Sequence, residues 1–299
     1  MSGKEKIVVF TDIDLDGIVS YMQLLWFGEK KHIPVISTRV TDFRKSFQGW
    51  LKYHDLDNYT QVYILDLDVS QDCIDIVDHP NVIIIDHHKT HVGNVSKYKN
   101  ASVFVEEKSS NSIHMYNMLK GKRQLTDAQK LLVLMADDYD SYSLKIPKTH
   151  QLNLLLWNMQ GDRLGKFVKR YRDGFNGFSA DEISIIKFYE KSIKNTISEL
   201  KMFTATIPVN NVDYKFVSTF ADKHINDVAE HIIQHAKADI GLVINLNSNK
   251  VSFRKNKSID VDLGKLAISL ADGGGHEYAA GGLLNDNMLQ LSKIFTPIK

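Results

Sequence analysis

Three aspartates occupy alternating positions in the segment 12–17, which reads Asp-Ile-Asp-Leu-Asp-Gly. Carboxylates held this close together repel one another, and a bound cation relieves the repulsion. The segment is therefore a candidate metal site that would contribute Asp12, Asp14 and Asp16. Aspartate is also a common cap at the start of a helix, so the segment alone leaves a purely structural interpretation open.

Two further groups of acids and histidines follow short apolar runs. Asp66 comes after the run 62–65, and the Asp-His-His triplet 86–88 begins where the run 82–85 ends. If these runs are strands of a parallel sheet, their carboxyl ends lie at the edge where open α/β sheets bind ligands. We therefore expect the three groups to converge on one site.

A fourth acidic group, Asp137-Asp138-Tyr139-Asp140, comes directly after the apolar, helical-looking segment 131–135. Negative charge at the C-terminal end of a helix opposes the helix dipole, so this position is unfavourable without a compensating cation. A solvated helix end is the structural alternative. In the company of the other three groups, this helix end is a further candidate for the same site.

The residue types indicate which metal would bind. Histidine among several carboxylates suits Mn²⁺ or Mg²⁺, and the imidazole favours Mn²⁺. A bridging carboxylate can hold two such ions about 3.5–4 Å apart, as in sites for phosphoryl chemistry. Cys73 is the single cysteine, which excludes a cysteine-cluster zinc site and an internal disulfide.

The hydrophobic pattern predicts the elements that position these groups. Short Val- and Ile-rich runs alternate with helical stretches over the first 90 residues, which indicates βαβ units and a parallel sheet covered on both faces. We expect an α/β fold with a parallel-sheet N-terminal domain at 1–180, a helical connector at 181–203 and a smaller α/β domain at 204–299. The predicted strands are 7–10, 33–40, 62–65, 82–85, 205–208, 215–220, 240–247 and 250–254.

Composition excludes several classes of protein. The chain has 299 residues, 43% hydrophobic and 24% charged, which is typical of a globular protein rather than a disordered chain or a rod. Its longest apolar run, 131–136, is too short to cross a bilayer, and a predicted strand at 7–10 leaves no room for a signal peptide. We therefore expect a cytoplasmic protein without a membrane partner. A net charge of +1 argues against a surface that coats long nucleic acids.

Taken in chain order, these motifs resemble those of the DHH phosphoesterases, a family named for its Asp-His-His triplet. The matching residues are the segment 12–17, Asp66, the triplet 86–88 and the pair 137–138. Near the C-terminus, Gly-Gly-Gly-His at 273–276 and Ala-Ala-Gly-Gly at 279–282 resemble the signature of the DHH-associated C-terminal domain. The resemblance covers almost the whole chain, and the triplet with this glycine-rich motif is much more specific than the triplet alone.

The resemblance implies a hydrolase of phosphoester or phosphodiester bonds that uses two divalent ions, expected to be Mn²⁺ with Mg²⁺ as the alternative. It implies that Asp66 bridges the ions, that His88 supports the site or contacts phosphate, and that Asp86 orients the histidines. Asp138 is favoured over Asp137 because the spacing to Asp140 resembles that of compact family members. The expected metal ligands are Asp12, Asp14, Asp16, Asp66, His87 and one of Asp137 or Asp138, and the expected catalytic residues are Asp16, Asp66, His87 and His88.

Two departures from the family pattern bear on the substrate. Many family members that act on oligoribonucleotides or pyrophosphate have a histidine where this chain has Phe10. The Asp-x-Asp-x-Asp-Gly form is instead similar to RecJ-like single-strand exonucleases, although this chain lacks room for their additional nucleic-acid-binding domains. Its two-domain size is similar to that of enzymes that degrade very short oligonucleotides.

The C-terminal domain is expected to hold the substrate. Arg254 ends a predicted strand, and its planar guanidinium suits phosphate. The neighbouring Lys255 and Lys257 are interpreted as a solvated basic hairpin. Three successive glycines allow the backbone to approach an anion, whereas a simple helix C-cap requires one. The expected substrate-binding residues are Arg254, Gly273, Gly274, Gly275 and His276.

We therefore expect an exonuclease or phosphodiesterase that hydrolyses short single-stranded nucleic acid to nucleotides through water activated by two metal ions. One alternative is a phosphatase or phosphodiesterase for a small nucleotide, such as a cyclic dinucleotide or a bisphosphate nucleotide. Another is a catalytically idle module that binds nucleic acid ends. The sequence leaves open DNA against RNA, cleavage polarity, and a monomer against a homodimer.

Overall fold

The computed structural model describes residues 5–275 and 277–298, and the chain divides into two compact units, Met1–Ile186 and Lys187–Lys299. The strands of the first unit are β1 (Ile7–Thr11), β2 (Val35–Ser37), β3 (Gln61–Leu65), β4 (Val82–Asp86) and β5 (Ser102–Val105). Its helices are α1 (Leu15–Phe27), α2 (Val40–Leu51), α3 (Ile74–Val77), α4 (Lys89–Val92), α5 (Asn111–Leu119), α6 (Asp127–Asp140), α7 (Thr149–Asn158) and α8 (Arg163–Arg170). Helix α9 (Ala180–Ser198) runs from the first unit into the second.

The five strands of the first unit form one parallel sheet in the order β2-β1-β3-β4-β5. Every residue of β1 is buried, as expected for a central strand with both faces covered. The register pairs Thr11 with Leu65, and Leu65 with Ile85, so β1, β3 and β4 end side by side. The residues that follow these strands are therefore brought to the same edge of the sheet.

Two layers of apolar side chains cover this sheet. On one face, Phe10 of β1 packs against Phe43 and Phe47 of α2, with ring centroids 5.8 and 5.0 Å apart. On the other face, the neighbouring Val9 packs with Tyr21 of α1. Helix α6 packs with α1 in a further cluster, so its C-terminal end is held by the core of this unit.

The second unit is built on a mixed sheet. Its strands are β6 (Met202–Val209), β7 (Val212–Phe220), β8 (Ile240–Asn245), β9 (Lys250–Lys255), β10 (Gly274–Gly275), β11 (Ala279–Leu283) and β12 (Thr296–Pro297), and its further helices are α10 (Ile225–His235), α11 (Leu263–Ala271) and α12 (Asp286–Ser292). The strand order is β10-β11-β9-β8-β7-β6-β12, with β7 and β8 parallel and the other neighbours antiparallel. Helix α11 covers one face and α10 the other.

The predicted α/β class and the parallel N-terminal sheet are confirmed. Each predicted strand is present with shifted ends, and the largest shift is at 33–40, where the strand is Val35–Ser37 and α2 already begins at Val40. The predicted helix 181–202 is Ala180–Ser198. Strand β5 was not predicted. Among the described helices, none combines the length and the apolar character that a membrane span requires.

Candidate metal centre

The loop between β1 and α1 carries the three alternating aspartates. Asp14 caps α1, because its Oδ1 accepts a hydrogen bond of 2.9 Å from the backbone N–H of Gly17. Asp16 is buried, and its carboxylate oxygens accept hydrogen bonds from the backbone N–H groups of Asn111 (2.7 Å) and Ser112 (3.0 Å) at the start of α5. Asp14 therefore caps α1 and Asp16 also anchors the start of α5, whereas helix capping does not account for Asp12.

Asp66 occupies a strained backbone position directly after β3. Its φ angle is 58°, in the left-handed region that few residues other than glycine adopt. The side chain is buried, and its Oδ1 lies 3.2 Å from Nε2 of His87, which follows β4. Backbone strain at a buried polar residue is a feature that clusters at functional sites.

His87 is common to two groups of potential ligands. Asp66, His87 and His88 form one group, and Asp16, His87 and Asp140 form the other, with the donor atoms of each group within 4.8 Å of one another. Nε2 of His87 lies 4.0 Å from Asp16, and Nδ1 lies 3.8 Å from Asp140. The structure thus brings together the four residues expected to be catalytic and adds Asp140 to them.

Negative charge is in excess in this cluster. Burial, together with the charges of Asp16, Asp14, Asp12 and Asp140, raises the pKa of Asp66 well above its usual range. Burial and the charge of Asp16 likewise raise the pKa of Asp140. Burial and the charge of Asp14 raise the pKa of Asp12 to about 7. These carboxylates therefore retain protons at a pH at which ordinary aspartates are ionised, unless a counter-charge is supplied.

A divalent cation fits this donor set. It would compensate for the cost of burying negative charge and would reduce the mutual repulsion of the carboxylates. Oxygen donors with one imidazole suit Mn²⁺ or Mg²⁺. The lone thiol, Cys73, is buried in the apolar cluster that contains Phe10, so it does not alter this choice. Asp16, Asp66, His87 and Asp140 would hold the metal, whereas Asp12 and Asp14 contribute negative charge that acts on Asp66.

At this helix end the group of potential ligands contains Asp140, whereas Asp137 or Asp138 was expected. Both oxygens of Asp138 accept hydrogen bonds from backbone N–H groups, of Lys145 (2.8 Å) and Ile146 (3.0 Å). Asp137 accepts from the N–H of Ser110. Because α6 continues to residue 140, Asp138 and Asp140 project from nearly opposite sides of the helix, whereas Asp137 lies about one turn before Asp140. If the predicted helix had been extended to residue 140, the sequence would have indicated Asp140 as a candidate metal ligand.

Asp86 lies behind His88. Its Oδ1 is 2.7 Å from His88 Nδ1, and its carboxylate is fully buried. Burial lowers the pKa of His88, but the charge of Asp86 outweighs it and the pKa rises to about 9. His88 is therefore held in one orientation and carries a positive charge at neutral pH, which matches the expectation that Asp86 orients a histidine.

Phe10, at the position where many DHH phosphoesterases have a histidine, is a core residue. The ring is fully buried and packs against Phe43, Phe47 and Trp50. It therefore lies in the core on one face of the sheet rather than at the edge where the carboxylates meet. Asp12, two residues further on, contributes its charge to Asp66 at that edge.

In the second unit, β9, which carries Arg254, and β10, which carries Gly274 and Gly275, both pair with β11. Arg254 pairs with Ala279 of β11, and its guanidinium donates hydrogen bonds to Asn226 (2.8 Å) and to the carbonyl of Phe253 (2.9 Å). His276 lies outside the described residues. Arg254 therefore remains a candidate phosphate contact whose guanidinium is positioned by α10.

The three successive glycines differ in their surroundings. A Cβ at Gly273 would lie 1.9 Å from the carbonyl oxygen of Gly281, and one at Gly275 would lie 2.6 Å from that of Ala279. A Cβ at Gly274 would meet no atom within 4 Å. Close packing of backbones therefore requires Gly273 and Gly275, whereas Gly274 has no packing role of this kind. Gly274 is the stronger candidate for an approach to a ligand.

Lys255 is not the solvated residue that the sequence indicated. Its side chain is fully buried, and Nζ donates to the carbonyls of Ile259 (3.1 Å) and Val261 (2.8 Å) and to the carboxylate of Glu277 (2.8 Å). The ammonium also lies 4.5 Å from the ring centre of Tyr278. Lys255 therefore ties the end of β9 to the chain that follows the glycine-rich segment.

Comparisons with known proteins bear on the fold. No protein-family model and no curated protein sequence matches the chain. Among solved structures, the DHH domain of a member of a ribosomal-protein family matches with a TM-score of 0.62 and 13% identity, over 97% of this chain and 85% of that one. The pGpG-specific phosphodiesterase PggH from Vibrio cholerae matches with a TM-score of 0.58 and 14% identity, over 97% and 96%. RecJ in complex with Mn²⁺ from Thermus thermophilus matches with a TM-score of 0.50 and 12% identity, over 97% and 51%.

The chain therefore has the fold of DHH-domain proteins, as the order of its motifs predicted.

Proposed function

We propose that the chain is a divalent-metal-dependent phosphoesterase that hydrolyses phosphodiester bonds in short single-stranded oligonucleotides. The observation that carries the proposal is the cluster of mutually repelling carboxylates around His87, in which Asp16 and Asp66 are buried and Asp140 is exposed, at the carboxyl edge of the parallel sheet. When bound, divalent ions would activate the attacking water and stabilise charge on the phosphate and the leaving oxygen. The Mn²⁺ complex of RecJ, a protein of similar fold, supports the choice of ion.

The chain's own residues contribute position and charge. The N–H groups at the start of α5 fix the carboxylate of Asp16, and the backbone after β3 fixes that of Asp66. His88, held by Asp86 and positively charged, would donate a hydrogen bond to a phosphate oxygen. In the second unit, Arg254 and the backbone of Gly274 would bind a further phosphate of the substrate.

The similarity to PggH supports a short substrate, because that phosphodiesterase is specific for the dinucleotide pGpG and matches over 96% of its length. A second candidate function, from the alternatives that the sequence leaves open, is hydrolysis of a small nucleotide, such as a cyclic dinucleotide or a bisphosphate nucleotide.

The experiment is one hydrolysis panel with the full chain and Mn²⁺. The substrates are single-stranded DNA and RNA from dinucleotides to long strands, a cyclic dinucleotide and a bisphosphate nucleotide. We expect the highest kcat/KM for the shortest linear oligonucleotides, and no turnover with excess chelator or in Asp66→Asn. A preference for the cyclic or bisphosphate compound would favour the second candidate. Binding of strand ends without turnover of any substrate would overturn the proposal in favour of an idle binding module.

A further inference from the structure

A second cluster of buried titratable residues lies next to the metal centre. Asp68, Asp86 and His91 have donor atoms within 4.8 Å of one another, and all three residues are buried. Nothing in the proposed chemistry uses His91, which belongs to the short helix α4. The hydrogen bonds around it indicate what it does.

His91 and His88 share one carboxylate. His91 Nδ1 lies 2.7 Å from Asp86 Oδ2, and His88 Nδ1 lies 2.7 Å from Asp86 Oδ1. An ionised carboxylate only accepts hydrogen bonds, so each imidazole donates from Nδ1. The two oxygens of Asp86 are therefore divided between a histidine of the metal centre and one behind it.

The outer side of His91 is also fixed. Its Nε2 lies 3.0 Å from the hydroxyl of Tyr98. In the neutral tautomer that donates from Nδ1, Nε2 is an acceptor and the tyrosine hydroxyl is the donor. The contacts form one line, which runs from Tyr98 through His91 and Asp86 to His88.

Asp68 does not compete for His91. Its Oδ1 lies 3.6 Å from His91 Nδ1, beyond the range of a normal hydrogen bond. The carboxylate instead accepts hydrogen bonds from the N–H (3.0 Å) and hydroxyl (2.5 Å) of Ser70 and from the hydroxyl of Thr90. The donor of His91 is thus directed to Asp86.

We propose that His91, fixed by Tyr98, is a positioning residue that holds Asp86 so that its second oxygen keeps His88 oriented towards the metal centre. Without His91, Asp86 would lose one of its two donors, and its carboxylate would be free to rotate away from His88. The consequence for turnover rests on the proposed phosphoesterase function, whereas the hydrogen-bond chain does not.

Substituting His91 with Asn or Gln tests the roles of its two ring nitrogens separately. The amide of His91→Asn can occupy the place of Nδ1 and donate to Asp86, whereas that of His91→Gln reaches the place of Nε2 and leaves Asp86 without this donor. We expect His91→Gln to lower kcat about 10- to 100-fold, the usual effect of losing an indirect contact to a metal site. We expect a much smaller decrease in kcat for His91→Asn, and little change in KM for either variant. Thermal unfolding is the control that both variants fold.

Tyr98→Phe has a matched control. Tyr59 makes a hydrogen bond of the same 3.0 Å length to His54, away from the metal centre. We expect Tyr98→Phe to lower kcat a few-fold and Tyr59→Phe to leave it unchanged, with similar changes in thermal stability. Equal kcat values for His91→Asn and His91→Gln would overturn the proposal, as would equal effects of the two tyrosine substitutions.

A spectroscopic readout tests the hydrogen-bond chain without turnover. Proton NMR of the metal-free protein should show downfield Nδ1–H resonances for His88 and His91, assigned with the two histidine variants. In His91→Gln the His88 resonance should shift, and in His91→Asn it should stay close to its position in the unmodified protein. If the unmodified protein hydrolyses nothing in the panel, the proposed function fails but this measurement still decides the positioning role. An unchanged His88 resonance in His91→Gln would show that the inference is wrong.

Discussion

Two neighbouring clusters at the same edge of the parallel sheet contain the same residue types and behave differently. Around His87, burial and repulsion raise the pKa values of Asp66 and Asp140. In the cluster of Asp86 and His91, burial also disfavours the charge, but the adjacent histidines outweigh it and the pKa of Asp86 falls below its usual range. Acids and histidines are therefore close together in both clusters. Only the cluster around His87 lacks enough hydrogen-bond donors and positive charge to balance its carboxylates.

This difference teaches how to recognise a ligand-binding cluster. In the cluster of Asp86 and His91, the hydrogen bonds hold the side chains in a fixed arrangement, and a cation would have to displace their donors. In the cluster around His87, the folded chain holds surplus negative charge that a cation would neutralise. The surplus charge, rather than ligand spacing alone, is therefore our reason to assign the metal to the cluster around His87.

Removing the central surplus carboxylate should give the largest effect. Asp66→Asn keeps a side chain that tolerates the left-handed backbone, whereas alanine would add strain. We expect activity to fall at least about 100-fold, the upper end of what even indirect contacts to a metal contribute. The unfolding temperature in chelator should rise, because a source of repulsion is removed. Full activity, or a lower unfolding temperature, would contradict the assignment.

The two acids at the end of α6 offer a matched pair. Asp140→Asn should weaken metal binding and activity about 10- to 100-fold with little change in stability. Asp138→Asn places an amide against two backbone N–H groups and should lower the free energy of unfolding by about 1–3 kcal/mol, with activity retained at low temperature. Calorimetric Mn²⁺ titration and urea unfolding of both variants test this. The reverse result would restore Asp138 as the ligand.

Gly273 and Gly274 in the second unit form another pair, in which one residue is expected to have a structural role and the other a binding role. Gly273→Ala would force a Cβ against the carbonyl of Gly281, so we expect severe destabilisation. Gly274→Ala should fold normally and raise KM about tenfold if a phosphate approaches this backbone, equivalent to ~1.4 kcal/mol of binding. Steady-state kinetics with a dinucleotide measures the effect. An unchanged KM in Gly274→Ala would remove this glycine from substrate binding.

The pH dependence of stability tests the surplus charge without any substitution. Asp12, with its pKa raised to about 7, keeps its proton up to that pH when folded but releases it near its ordinary pKa of 3.8 when unfolded. The folded state therefore binds more protons between these values, and its contribution to stability is lost as pH rises through about 7. Asp86 acts oppositely, since its contribution is present above its unfolded pKa and is lost as pH falls below it.

Urea unfolding in chelator at several pH values between about 4 and 7 measures the balance. Saturating Mn²⁺ should flatten or reverse the decline, because the ion replaces the protons. A metal-free protein whose stability rises steadily over this window would contradict the surplus charge around His87.

Much of the fold could be predicted because its signals are local. Strands β1, β3 and β4 are continuous apolar runs, and the acids that follow them mark the edge of the sheet. Strand β5 was missed although Val103-Phe104-Val105 favours a strand, because the apolar run is only three residues long. Tertiary pairing with β4 extends it to the four residues Ser102–Val105.

The residues of the site were harder to predict where contacts are distant along the chain. Asp138 and Asp140 are chemically identical, and only the extent of α6 and the position of the loop at 143–146 decide which one faces His87. Lys255 looked solvated in a run of basic residues, yet its acceptors come from three positions after β9. His91 gave no local signal, since its role depends on Asp86 and Tyr98.

The connections of the parallel sheet have a consequence for the order of folding. Asp16, Asp66 and Asp140 lie far apart along the chain and meet only when β1, β3, β4 and α6 have assembled. Parallel pairing depends on such long-range contacts and is a slow step in folding. The repulsion is therefore a property of the assembled sheet and not of the open chain. A cation that binds only the assembled site would shift the equilibrium towards the folded state.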